Sequence, residues 1–167
     1  TIFYQLFMNF STPTLVINKS ISLNNLDRMI DVANKNNLVL RPHFKTHQSI
    51  EIGNWFKEKG VTSITVSSIS MADFFSSEWD DITIAFPLNI LEIDKLNLLI
   101  KGNKVKLLID SISSLKILDG QLEGSVEVYL KMDVGYNRAG LKVDEKQKIK
   151  SIIEFCKTSK KIIFLGF

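Results

Sequence analysis

The sequence predicts a parallel α/β fold: a (β/α)8 TIM-type barrel cut short after about six strands. Three observations carry that prediction. From residue 38 onward, short apolar and β-branched runs alternate with helical patterns at the spacing of βαβ units. The turn after the first of these runs contains no glycine, where a doubly wound nucleotide-binding sheet carries a Gly-rich loop. It contains His43, Lys45 and His47 instead, and a barrel places its chemistry at the C-terminal ends of its strands. The chain has 167 residues, whereas a complete barrel has roughly 250. Six strands therefore read as most of a barrel with its end missing.

Residues 1–10 are aromatic-rich and uncharged, and they lack the basic flank of a signal peptide. They are too few to span a bilayer and read as an extraneous or disordered segment, with the fold occupying residues 11–167. Residues 14–18 form a β-type run after Pro13. Ser22 is placed to cap a helix whose apolar positions Leu23, Leu26, Ile30 and Ala33 keep helical spacing, and Asn36 and Asn37 end it. Residues 38–40 are the first strand of the alternation. A helix over 50–59 is closed by Gly60. Strand 63–67, helix 69–78 and strand 82–86 follow, the last ended by Pro87. Helix 90–101 is stopped by Gly102, and strand 104–110 leads to a helix capped by Ser111 and running to about Leu118. Strand 126–132, a helix from Asp144 to about Thr158 and strand 162–167 complete the series. These strands read as buried on both faces, as parallel strands between helices are.

The composition, 45% hydrophobic and 23% charged, is that of a soluble globular chain. The net charge of +3 is spread along the sequence, and Lys160 and Lys161 are the only adjacent basic pair, so there is no nucleic-acid patch. The single cysteine, Cys156, excludes an internal disulfide and fits a reducing, cytoplasmic setting. Its place in an apolar helical pattern gives it a packing role.

Two stretches carry chemistry. In the first, Lys45 lies between His43 and His47 just after an apolar run. Neighbouring positive charge and partial burial both disfavour the protonated amine, and a neutral lysine amine attacks aldehydes to form a Schiff base. Strand alternation puts His43 and His47 on the same side as Lys45, with both imidazoles near it, although the loop is expected to break that regularity by His47. The ordinary alternatives are a solvated lysine and histidines that cap a strand end. A zinc site would need a third ligand that the stretch does not offer. The second stretch, residues 131–140, sets Arg138 between Gly135 and Gly140 at the end of another strand. Glycines let backbone approach a ligand, and the arginine can donate to an oxyanion. The alternative is a tight turn in which Arg138 pairs with Asp133. A weaker set, Ser67, Ser68, residues 87–89, Asp110 and Ser111, follows other strands at the same end, where helix capping competes with ligand binding. Trp79, Asp80 and Asp81 fall at the opposite end, where stability rather than chemistry is expected.

The run from Arg41 to His47 resembles the Arg-Pro-His-x-Lys-Thr-His signature of the D-threonine aldolase and D-serine dehydratase group. These are fold type III pyridoxal-phosphate enzymes that share the alanine racemase barrel. Residues 133–140 resemble the Asp-x-Gly-x-x-Arg-x-Gly segment of the same superfamily, and residues 11–17 its Thr-Pro-x-Leu-Val opening. The resemblance implies an alanine racemase-like barrel in which Lys45 is the catalytic Schiff-base lysine of pyridoxal 5′-phosphate. It makes His43, Thr46 and His47 neighbours of that lysine at the cofactor, and Arg138 a cofactor-side arginine. Gln48 stands where many relatives carry another lysine. The implied activity is a lyase acting on small D-3-hydroxy amino acids, homodimeric when full length, with no nucleic-acid or membrane partner. Phosphate loops from late barrel strands, and a C-terminal β domain that brings the ligands of a divalent metal, are expected outside these residues, which leaves the isolated chain inactive or nearly so. Two rival readings are an alanine-type amino-acid racemase and a non-catalytic pyridoxal-phosphate-binding protein.

Overall fold

The computed structural model describes residues 11–167; the segment 1–10 lies outside the described residues. The chain divides into two units, Thr1–Val39 and Leu40–Phe167. In the first, residues 14–18 are extended but join no ladder among the described residues, and Leu15 is left 80% exposed. Helix α1 (Lys19–Lys35) is capped by Asn18, whose side chain accepts from the Ile21 N–H at 3.0 Å. The cap is thus four residues earlier than the predicted Ser22. Ser22 lies inside the first turn of the helix, where its hydroxyl donates back to the Asn18 carbonyl at 2.9 Å. Asn37, at φ 54°, takes the chain out of the helix in the left-handed region.

The predicted strand at 38–40 does not form, and Leu38 and Val39 are exposed. The contact with the sheet comes a few residues later. The Thr65 N–H donates to the Pro42 carbonyl at 2.8 Å, and His43 and Thr65 form a single isolated bridge. Pro42 has no N–H to extend that ladder. The chain turns instead into a 3₁₀ turn, Phe44–Thr46, and then into α2 (Ile50–Glu58). The remaining elements follow as β1 (Ser63–Val66), α3 (Ile69–Phe75), β2 (Asp81–Pro87), α4 (Ile93–Leu99), β3 (Lys104–Ile109), α5 (Ile112–Gln121) and β4 (Val126–Leu130). Then come two short strands, β5 (Met132–Asp133) and β6 (Leu141–Lys142), followed by α6 (Lys146–Thr158) and β7 (Ile162–Gly166). Strands β1-β2-β3-β4-β7 pair in that order and all in parallel. The parallel α/β class predicted from sequence is therefore present. It takes the form of a five-stranded open sheet, and no closed barrel is formed among the described residues.

Strands β1 to β4 each have one apolar face and one face carrying polar residues, whereas β7 is apolar on both. Ile64, Val66, Ile82, Ile84, Val105, Leu107, Val128 and Leu130 are buried on the side that takes up Ile69, Ala72 and Phe75 of α3, Leu96 of α4, Leu115 and Leu118 of α5 and Ile152 of α6. The alternate positions are Thr65 on β1, Asp81 and Thr83 on β2, Lys104 and Lys106 on β3 and Glu127 on β4. The expectation of strands apolar on both faces is corrected here. The alternation Lys104-Val105-Lys106 and Val126-Glu127-Val128 is the period-two signature of a sheet with a polar side.

The 3₁₀ turn is fastened to the apolar side. Phe44 is fully buried, with its ring centroid 5.2 Å from Phe56, 5.1 Å from Phe75 and 5.2 Å from Trp79. Helix α2 comes this close because position 53 is glycine: a Cβ there would lie 3.1 Å from the Phe44 ring. His47 joins the same cluster, 4.5 Å from Phe44 and stacked on Phe56. Its Nδ1 accepts from the Ser49 N–H at 3.2 Å, which puts the proton of the neutral ring on Nε2, and that atom is buried without a partner. Burial lowers the His47 pKa below its ordinary 6.5.

Two outcomes follow. Phe44→Ala should cost about 3–5 kcal/mol of unfolding free energy, read by denaturant titration. A depressed imidazole pKa favours the folded state above pH 6.5, and that contribution is lost as the pH falls through the folded value. His47→Phe should flatten the loss of stability between pH 6.5 and the carboxylate range, measured as thermal midpoint against pH.

Candidate active site

The turn that carries Lys45 is closed by its neighbours. His43 precedes it in extended conformation, and its Nδ1 accepts from the Lys45 N–H at 3.3 Å. The Gln48 N–H donates to the Phe44 carbonyl at 3.0 Å, with Gln48 at φ 46°. Because Phe44 is committed to the aromatic cluster, the next residue projects to the other side, where Lys45 lines a cavity.

The opposing wall is the loop between β5 and β6, which pair as Met132 with Leu141 and Asp133 with Lys142. The Asp133 carboxylate accepts from the Asn137 N–H at 2.9 Å and the Gly135 N–H at 3.0 Å. Those backbone bonds, Asn137 first, hold its pKa below the usual carboxylate value. Gly140, at φ 110°, closes the loop. A Cβ there would meet the backbone of Asp133, Lys131 and Met132 at 2.9 Å. The close approach at Gly140 is thus to the chain itself, whereas a Cβ at Gly135 would meet nothing within 4 Å. The alternative pairing of Arg138 with Asp133 is not formed, and Arg138 makes no ion pair among the described residues.

Between the turn and the loop is a cavity of about 410 Å³ at the C-terminal ends of β1, β2 and β4. It is lined by His43, Lys45 and Ser67, by Ala85, Phe86 and Pro87, and by Lys131, Asp133, Tyr136 and Arg138. Three cations, Lys45, Lys131 and Arg138, meet here with no ion-pair partner among the described residues, and the one carboxylate on the lining is taken up by backbone N–H groups. Burial, and then the charge of Lys45, lower the His43 pKa, so its ring is mostly neutral at pH 7.

The structure thus brings His43, Lys45 and Arg138 together. It does not bring Thr46 or His47 to the cavity. The Thr46 hydroxyl donates to the His43 carbonyl at 3.4 Å, and His47 packs among Phe44, Phe56 and Phe75. The expectation of two imidazoles beside Lys45 fails because the 3₁₀ turn breaks the strand alternation on which it rested. Of the weaker set, Ser67 and Pro87 line the cavity, whereas Ser68 caps α3, Asn89 caps a short 3₁₀ turn and Ser111 caps α5. Lys131 and Tyr136 also line the cavity, and neither was expected there. The alternation Glu127-Tyr129-Lys131 was the signal that could have placed Lys131 at the mouth. No group of three or more His, Cys, Asp or Glu side chains among the described residues could hold a metal ion.

The D-serine dehydratase of Dictyostelium discoideum is 32% identical over 145 residues, which is 79% of this chain and 37% of that protein. The D-threo-3-hydroxyaspartate dehydratase of Delftia sp. (strain HT23) is 28% identical over 143 residues, 83% of this chain and 38% of its own. Its solved structure superposes with a TM-score of 0.85 at 24% identity, over 94% of this chain and 43% of that one. The D-threonine aldolase of Filomicrobium marinum superposes equally, with a TM-score of 0.85 at 20% identity over 94% of this chain and 43% of its own. The chain therefore spans 37% and 38% of the length of the two curated relatives. The family model for the N-terminal domain of alanine racemase matches residues 17–167, and the chain belongs to that family.

Proposed function

We propose that this chain supplies the lysine-bearing part of a pyridoxal 5′-phosphate site in a lyase that acts on D-3-hydroxy amino acids, of the D-serine dehydratase or D-threonine aldolase type. The observation that carries the reading is the meeting of Lys45 and Arg138 in one cavity, each from a segment that resembles a signature of these enzymes. The names of the two dehydratase relatives support the substrate class, since both refer to D-amino acids with a hydroxyl on the β-carbon.

The donor set fits the cofactor. A phosphorylated aldehyde needs a primary amine, cationic groups and an apolar wall. The cavity offers Lys45, then Lys131 and Arg138, then Phe86 and Met132. Lys45 Nζ would hold the aldehyde covalently. Arg138 would donate to an oxyanion of the cofactor or to the substrate carboxylate. His43, with its lowered pKa, leaves the electrostatics to those cations and fixes the Lys45 backbone through its Nδ1. When bound, the cofactor supplies an electron sink for charge developing at Cα. Lys45 Nζ, on the cavity wall, would be placed to act as a base for a substrate Cα proton on its own face, as a dehydratase requires. An aldolase instead needs a base at the β-hydroxyl. Phosphate ligands and a divalent metal are expected from the remainder of a full-length protein, so the isolated chain should turn over little or no substrate.

The family model, described for alanine racemase, favours a second reading as an amino-acid racemase. Assaying D-serine and D-threonine breakdown against alanine racemisation in the full-length protein separates the two.

Lys45→Ala should abolish the visible absorbance that pyridoxal 5′-phosphate acquires on binding; an unchanged spectrum would overturn the assignment. Gly140→Ala should cost about 1–3 kcal/mol of stability and weaken cofactor binding, read by thermal denaturation and spectral titration, because the new Cβ meets backbone on three sides.

A further inference from the structure

Arg41 stands four residues before Lys45 but is engaged elsewhere. Its guanidinium donates to both carboxylate oxygens of Asp81 at the start of β2, at 2.7 and 3.0 Å. It also reaches the carbonyls of Ile64 and Asp81, each at 3.4 Å. Asp81 is shared: Lys106 Nζ on β3 donates to it at 2.5 Å and lies 3.4 Å from Glu127 on β4. The Lys106 side chain is only 6% exposed. An alternating row of charge, Arg41–Asp81–Lys106–Glu127, therefore crosses three strands on the polar side of the sheet. Burial alone would raise the Asp81 carboxyl, but hydrogen bonds from Arg41 and Lys106, with their charges, hold it below its usual range.

The backbone of the same segment is held by β1. The Thr65 N–H donates to the Pro42 carbonyl at 2.8 Å and the Thr65 hydroxyl to the Arg41 carbonyl at 3.4 Å. Downstream, Phe44 fastens the turn to the apolar side. Arg41–Asp81 is the only ion pair made by residues 41–48 among the described residues. A bidentate arginine fork fixes direction as well as distance, which a lysine in its place cannot do.

We propose that the Arg41–Asp81 pair, backed by Lys106 and Glu127, is the positioning device for Lys45, holding the upstream end of the turn so that the amine enters the cavity in one orientation. The inference rests on Lys45 being the cofactor-bearing lysine. Arg41 and Asp81 act through the turn and need not touch the cofactor.

The test uses the whole chain with Arg41→Gln, Asp81→Asn and the milder Arg41→Lys, and with Lys150→Gln, which breaks an exposed pair on α6, as control. Hydrogen exchange read by mass spectrometry should rise about tenfold or more in peptides covering 41–49, the scale of one lost charge-assisted hydrogen bond. Peptides from α5 and α6 should keep their protection, and Arg41→Lys should give an intermediate rise. In parallel, the chain is treated with pyridoxal 5′-phosphate, reduced with borohydride and mapped. Label on Lys45 relative to Lys146 should fall about tenfold in the Gln and Asn variants, the fall expected from one lost charge-assisted hydrogen bond, and less in Arg41→Lys. If either stronger variant does not fold, Arg41→Lys carries both measurements. Unchanged exchange in 41–49, an equal rise throughout the chain, or a loosened turn with undiminished Lys45 labelling would each overturn the proposal. If the unsubstituted chain shows no preference for Lys45, the cofactor reading fails instead, and the exchange pattern alone decides whether the pair positions the turn.

Discussion

Phe44 is fully buried among three aromatic rings, and everything at the cavity follows from that commitment. A 3₁₀ turn has three residues per turn, so consecutive side chains diverge widely. With Phe44 locked on the apolar side of the sheet, its neighbour Lys45 must leave on the other. The burial of one large ring gives on the order of 2–3 kcal/mol, more than enough to hold a three-residue turn that has little hydrogen bonding of its own. Glycine at position 53 is part of the same fit, because it lets α2 close over the ring.

The two faces of the sheet divide the work. Helices and one apolar face supply the core, while the other face carries threonines, two lysines and two carboxylates. Charges so placed are costly to desolvate unless paired. They are paired in a row, Arg41 with Asp81, Lys106 between Asp81 and Glu127, and Lys104 with Glu127. At the far end of the same face, where the strands finish, the pairing stops, and Lys45, Lys131 and Arg138 meet without partners. The contrast between a neutralised layer below and an uncompensated one above makes the cavity attractive to an anion.

Much of this was legible in the chain. The alternation of strand and helix fixed the parallel class, and motif positions put Lys45 and Arg138 at the same ends of their strands. What was not legible came from local chemistry that periodicity does not describe. Pro42 stopped a ladder that the apolar run 38–40 appeared to begin, leaving a single bridge at His43. The 3₁₀ turn rotated His47 away from the residue whose parity it shared. Asn18 caps the helix one turn before Ser22 because its side-chain carbonyl accepts from the Ile21 N–H and the helix starts at Lys19. The charged row lies in the period-two alternation of residues 104–106 and 126–128, where Lys and Glu alternate with valine.

The attachments of the lysine turn are remote in sequence. Thr65 lies 24 residues beyond Arg41, and Asp81 lies 40 beyond it. Bringing such distant partners together carries a loop-closure cost that must be met before the contacts return anything. A chain emerging from synthesis has Lys45 long before it has β2, and until β2 is in place neither the ion pair nor the Trp79 edge of the aromatic cluster exists. Lys45 is thus synthesised before any of the strands that hold its turn.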